Sequence, residues 1–157
     1  MLNEFRQDLI SGDWVLFATG RSKKPVDHEK KKKFYQPKDG CVFENPQISG
    51  QGEPLLVYLN GRKISWVDGF NGQWTTQVVM NKYPAVQHGN VCGLIRSHGP
   101  IQVVDASGFH EVVVTRDHDR NFAQFNNNET EEVIRVYLDR FREIAKDSCN
   151  KYILIFH

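Results

Sequence analysis

The chain holds no apolar run long enough to span a bilayer. Its opening residues, MLNEFRQDLI, include acidic side chains and no apolar h-region, so they do not form a signal peptide. Charge of one sign is also lacking. Lys and Arg number 20 against 19 Asp and Glu, and that balance gives no global pull toward nucleic acid or a membrane surface. Cysteine is scarce: Cys41, Cys92 and Cys149 are odd in number and widely spaced. This argues against a disulfide framework and suits a reducing compartment, so a cytoplasmic location is expected. There is no Gly-x-Ser-x-Gly, no Walker loop and no dinucleotide fingerprint. His28, His88, His98 and His110 are scattered, and no nucleophile stands beside an evident base.

What is present reads as short strands followed by one helix. GDWVLFATG (12–20) is a strand bounded by glycines. PLLVYLNGRKISWV (54–67) places Asn60-Gly61 between two strand-like runs, a hairpin signal. QWTTQVVMNKYPAV (73–86) is a strand ending in a turn fixed by Pro84. GNVCGLIR, PIQVVDA and FHEVVVT add further strands. NNNETEEVIRVYLDRFREIAKDS is the one clear helix. Asn128 is placed to cap it, and Glu129, Glu131 and Glu132 suit its positive end. Ile134, Tyr137, Leu138, Phe141, Ile144 and Ala145 share one face and predict packing on a sheet. KYILIFH (151–157) reads as a buried strand. Many antiparallel strands, then a helix and a strand, make the fold class α+β.

Four stretches carry residues able to do chemistry. In DGCVFENP (39–46), Cys41 and Glu44 stand three apart in a turn; Cys-x-x-Glu is a weak metal signal, and a cysteine alone is often a small buried hydrophobe. In TRDHD (115–119), His118 lies between two aspartates just past a strand, as a surface residue or as a metal ligand oriented by a carboxylate. RSKKP (21–25) opens a basic stretch continued by Lys30 to Lys33. Such a run is either a solvated loop or a phosphate-binding one. In VVMNKYPAV (78–86), Asn81 follows a strand, where it is a turn former or a reader of a ribose or base edge through its paired donor and acceptor.

Taken in order, FRQDLISGDWVLFATGRSKKP, CVFENP, VVMNKYPAV, GFHEVVVTRDHDRNFAQF, the amphipathic helix and YILIFH resemble the N-terminal half of the galactose-1-phosphate uridylyltransferase family, in the histidine triad superfamily. The likeness runs over essentially the whole chain and about half of the family's length. It implies an open, mostly antiparallel sheet or half-barrel with one main helix packed on it. The chain then reads, over 1–157, as an N-terminal domain cut before the catalytic histidine motif. The implied reaction moves UMP between UDP-glucose and galactose 1-phosphate through a uridylyl-histidine, splitting one displacement into two.

In the family, the strand resembling YILIFH is followed by an Asn, a Gly-rich loop and a His-x-His-x-Gln-like motif that holds the nucleophile. By register His157 precedes that Asn, so it is not the nucleophile, and the chain alone is expected not to turn over. The resemblance matches Arg21 and Lys24 to a cationic loop that reaches the nucleotide phosphates of the neighbouring subunit. It matches Asn81 to the residue on the nucleoside and Lys82 to the next nucleotide-contacting position. Phe43 and Phe156 fall where the uracil slot is lined, or in the core. Cys41 and His118 match two of four structural zinc ligands; Glu44 stands where the family usually has the second Cys, and the fourth ligand has no counterpart in 1–157. The expected partners are UDP-glucose and galactose 1-phosphate, together with a second copy or a C-terminal half, but neither nucleic acid nor membrane. Alternatives are a nucleotide-sugar phosphorylase or adenylyl-transferring relative, and a non-catalytic nucleotide-binding module or fragment.

Overall fold

The computed structural model describes residues 3–18, 37–66, 73–89 and 92–156. In chain order the strands are β1 (Glu4–Gln7), β2 (Trp14–Phe17), β3 (Leu56–Leu59), β4 (Arg62–Ile64), β5 (Thr76–Met80), β6 (Ile95–His98), β7 (Ile101–Asp105) and β8 (Glu111–Thr115). A 3-10 turn at Phe122–Gln124 leads into helix α1 (Asn127–Ile144). The strands form two four-stranded antiparallel sheets, ordered β2-β1-β7-β6 and β4-β3-β5-β8. The α+β expectation of open antiparallel sheet with one main helix holds, and no barrel closes among the described residues. The chain divides into two compact units. One contains described residues 3–18, 83–89, 92–110 and 147–156; the other contains 37–66, 73–82 and 111–146.

In the first unit, the mostly polar run EFRQ carries no strand signal, yet it forms β1. Its turn into β2 explains why. The Asp8 carboxylate accepts the N–H groups of Ile10 and Ser11, each at 2.9 Å, and this fixes the reversal that pairs Gln7 with Trp14. Asn3 Nδ2 donates to the Ala85 carbonyl at 2.8 Å, and His110 Nδ1 accepts the Ala85 N–H at 2.9 Å. His110 therefore has a structural role here, with its proton on the other ring nitrogen if neutral.

Two expectations fail in this unit. Cys92 and Cys149 are joined in a disulfide with Cα atoms 5.2 Å apart, although 57 residues separate them in sequence. An odd cysteine count and wide spacing do not register a contact made by the fold, and the argument for a reducing compartment loses that support. Residues 151–156 form no strand; Tyr152, Leu154 and Phe156 are more than 70% exposed, at 77%, 71% and 72%. An apolar run raises strand propensity, but partner N–H and C=O groups and a covered face make the strand, and the described strands supply neither here.

The second unit holds the core. Asn60 (φ 49°) and Gly61 (φ 79°) both adopt the left-handed backbone that a two-residue hairpin requires, and β3 and β4 pair on either side. Alternation then sends side chains to two faces. Leu56, Tyr58 and Val78 lie on one, packed with Val136 of α1 and Val113. Val57, Trp74, Val79 and Val114 lie on the other, joined by Phe43, Ile64, Trp66 and Val112. Covering on both faces explains why LVYL and TQVVM are buried almost end to end.

Helix α1 begins two residues sooner than the Asn128 cap implies. Asn126 is the cap: its side chain accepts the Glu129 N–H, and the Glu129 carboxylate accepts the Asn126 N–H in return. The buried face also differs from the expected stripe. Val133, Val136 and Glu132 are buried, whereas Ile134, Leu138 and Phe141 are left open on the surface. Polar anchors set this rotation. Glu132 accepts from the Gly61 N–H and from the Thr75 and Thr76 hydroxyls, so it serves the sheet as well as the positive helix end. The Tyr58 hydroxyl donates to Asp139 at 3.1 Å, and Arg140 makes a two-pronged contact with Glu111 at 2.8 and 2.6 Å.

Candidate functional site

The residues between Lys38 and Pro54 run across one face of the second sheet as a chain of tight turns. The Cys41 N–H donates to the Lys38 carbonyl at 3.0 Å, and the Glu44 N–H to the Cys41 carbonyl at 3.2 Å. Phe43 leaves this turn and packs on the face of Val57, Trp74, Val79 and Val114. Pro46 is fully buried and accepts the Gln51 N–H at 2.8 Å. Gln47 then reaches the sheet, donating to the buried Gln77 amide oxygen at 2.8 Å. Gln77 Nε2 is left without a hydrogen-bond partner among the described residues. At the far end Gly50 adopts φ 76°, and a side chain there would begin 3.7 Å from the Lys82 ammonium. The backbone conformation is what asks for glycine; a side chain there would make ordinary contact with the cation. Lys82 and Asn81 directly follow β5, so the turn that carries Phe43 and Gly50 meets the end of that strand.

The near end of the same loop is held by charge. His118 Nδ1 lies 3.1 Å from Glu44 Oε1, and Arg116 Nη1 lies 3.7 Å from Glu44 Oε2. Arg116 also donates to the Glu44 carbonyl, stacks 5.1 Å above the Trp74 ring, and gives its backbone N–H to the Thr75 carbonyl at 2.7 Å. Lys38 pairs with Asp119 at 3.6 Å. Beyond them, Arg120 bridges Asp117 and Glu129. The Asp117 carboxyl is held below its ordinary range, first by the Arg120 backbone N–H and then by its guanidinium and the Asp119 N–H. Glu129 is lowered by the Arg120 side chain and the Asn126 N–H. A cleft of about 810 Å³ opens at this corner between β8, the Asn60-Gly61 turn and the start of α1. Its guanidinium groups, Arg116, Arg120 and Arg135, are matched by Glu44, Asp117, Glu129 and Glu131.

The expected residues thus separate in the fold. Lys82 lies beside Gly50 and Asn81 precedes it in sequence, while Phe43 packs on the sheet face of Val57, Trp74, Val79 and Val114. Glu44 and His118 come together at the opposite end of the loop. Phe156 belongs to the other unit and is exposed, and Arg21 and Lys24 lie outside the described residues. Cys41 is a half-buried free thiol. As a zinc set the donors fall short: no group of three or more His, Cys, Asp or Glu side chains among the described residues is disposed to hold a metal ion. The pair that does form spends its carboxylate on an imidazole and a guanidinium. Arg116 stands inside TRDHD, but nothing local announces that a strand-end arginine will fold onto a tryptophan and a distant glutamate. From the sequence Glu132 suits only the helix dipole, because its partners come from the Asn60-Gly61 turn and the start of β5.

No family model matches the chain, and no solved structure matches it. The chain is similar to ADP-glucose phosphorylase of Arabidopsis thaliana, with 23% identity over 161 residues, covering 98% of this chain and 42% of that protein. The chain therefore spans less than half the length of the curated relative it matches.

Proposed function

We propose that this chain supplies the nucleotide-sugar-binding portion of an enzyme that transfers a nucleotidyl group between a nucleotide sugar and a phosphate-bearing acceptor. The observation that carries the reading is the meeting of the Phe43–Gly50 turn with the end of β5. An aromatic side chain, an open glycine backbone, an ammonium and an Asn amide are what a base, a pyrophosphate and a ribose need from a protein surface. In this reading Lys82 faces a phosphate, Asn81 the nucleoside and Phe43 the edge of the base. Arg21 and Lys24 are assigned to the phosphates on the family resemblance alone, and Phe156 to the base slot on the same ground. No residue of this chain is assigned the role of nucleophile. The reading also expects a second copy or a C-terminal half as partner, and a cytoplasmic setting.

Two versions share this site. In the first, UMP passes between UDP-glucose and galactose 1-phosphate. The second works on an adenine nucleotide sugar with phosphate as acceptor, and the likeness to a protein named ADP-glucose phosphorylase favours it. Calorimetric titration of the chain with UDP-glucose and with ADP-glucose separates the two by the tighter ligand. Lys82→Ala is expected to weaken that ligand about tenfold or more, the loss of one charge-assisted contact, and Asn81→Ala to weaken it by less. Failure of the wild-type chain to bind either nucleotide sugar overturns the proposal.

A further inference from the structure

We propose that the Glu44 carboxylate fastens the 37–54 loop to the segment after β8 directly, so that this corner folds and holds without a metal ion. A zinc cross-link here would tie the Cys41–Glu44 turn to His118, and it needs four thiolate, imidazole or carboxylate donors in tetrahedral array. The chain offers a different connection. Glu44 Oε1 meets His118 Nδ1 at 3.1 Å, its Oε2 lies 3.7 Å from Arg116, and its carbonyl takes an Arg116 N–H. Lys38 and Asp119 close the outer end at 3.6 Å. The His118 and Glu44 side chains are mostly buried, at 11% and 19% exposure, so solvent screens their contact less than it would a surface pair.

Two features set this arrangement against a metal. The Glu44 carboxylate that would have to bind the ion is shared instead by His118 Nδ1 and the Arg116 guanidinium. A divalent cation on that carboxylate would also have the Arg116 guanidinium as a near neighbour, and like charges at such separations repel. The Arg116 guanidinium lies on Trp74 and donates to the Glu44 carbonyl, contacts that favour its place beside the carboxylate. Where the family resemblance would place a thiol, the Glu44 carboxylate makes a different cross-link, by charge in place of coordination. The inference stands on the corner's own geometry and is independent of nucleotide binding.

The test uses the full chain, purified and dialysed, with its metal content measured before and after incubation with zinc chloride. Less than one equivalent of zinc is expected, with a melting temperature unmoved by zinc or by chelator, since a ligand that bound the native state would raise it. Glu44→Gln and His118→Gln are each expected to lower the melting temperature by about 3 °C, and the double variant by no more than the larger single change. Retention of one equivalent of zinc that Cys41→Ala abolishes would overturn the proposal, as would single-variant shifts that simply add. The zinc measurement on the wild-type chain remains decisive even if a variant does not fold.

Discussion

The two sheets have the same number of strands and very different surroundings. In the second, β3 and β5 are buried on both faces, by α1 on one side and by the Phe43 loop on the other. In the first, β2 and β6 are largely exposed, and Val103 of β7 is the one buried strand residue among those described. The second sheet is held by apolar contact, which is collective and non-directional. The first leans on strand hydrogen bonds, the Arg96–Asp105 ion pair and the Cys92–Cys149 cross-link. A sheet whose outer strands no described residue covers needs such ties, because pairing alone is marginal in water.

Removing the tie is the most direct way to break this contrast. Cys92→Ser, or reduction of the wild type, opens a closure of 57 residues. The chain-entropy argument puts the loss at about 4 kcal/mol, read by denaturant unfolding. Hydrogen exchange is expected to quicken in β6, β7 and residues 147–156 while β5 and β8 stay protected. Equal quickening in both units would show that they do not unfold separately.

A matched pair of truncations sharpens the same comparison. Val78→Ala deletes methyl groups from a fully buried position and is expected to cost about 2 kcal/mol through lost transfer and a cavity. Ile95→Ala, at a position 63% exposed, is expected to stay within about 0.5 kcal/mol. Similar losses at the two sites would mean that the first sheet has a cover.

The smallest effect concerns charge at the start of α1. Glu129 titrates below its usual value of 4.5 because the Arg120 guanidinium and the Asn126 N–H favour its ionised form. A carboxyl lowered in the folded state adds stability above its unfolded value, and that gain is lost as pH falls through the folded one. The melting-temperature difference between wild type and Glu129→Gln is therefore expected to be present at neutral pH and to shrink below about pH 4.5. A difference that persists in acid would assign Glu129 a role other than this contact.

Much of the architecture was legible along the chain. The Asn60-Gly61 hairpin followed from a backbone preference of two residues, and the strands of the second sheet from β-branched runs bounded by turn formers. The helix was evident, yet its buried face was not. Ile134, Leu138 and Phe141 form the better apolar stripe, whereas the Glu132, Tyr58–Asp139 and Arg140–Glu111 contacts turn Val133 and Val136 to the sheet. Of the candidate site, the residue types were readable and the pairings were not. Glu44 was weighed as a metal ligand, and its actual neighbours are His118 and Arg116.

By itself the sequence determined the turns, the helix start region and the α+β order, since these rest on torsional preferences and capping groups only a few residues apart. The tertiary structure alone decided that Cys92 meets Cys149, that Glu132 serves the hairpin and that Glu44 meets His118. Those contacts join segments far apart in the chain, and which groups meet depends on how strands register and layers stack, a choice no single stretch of residues contains.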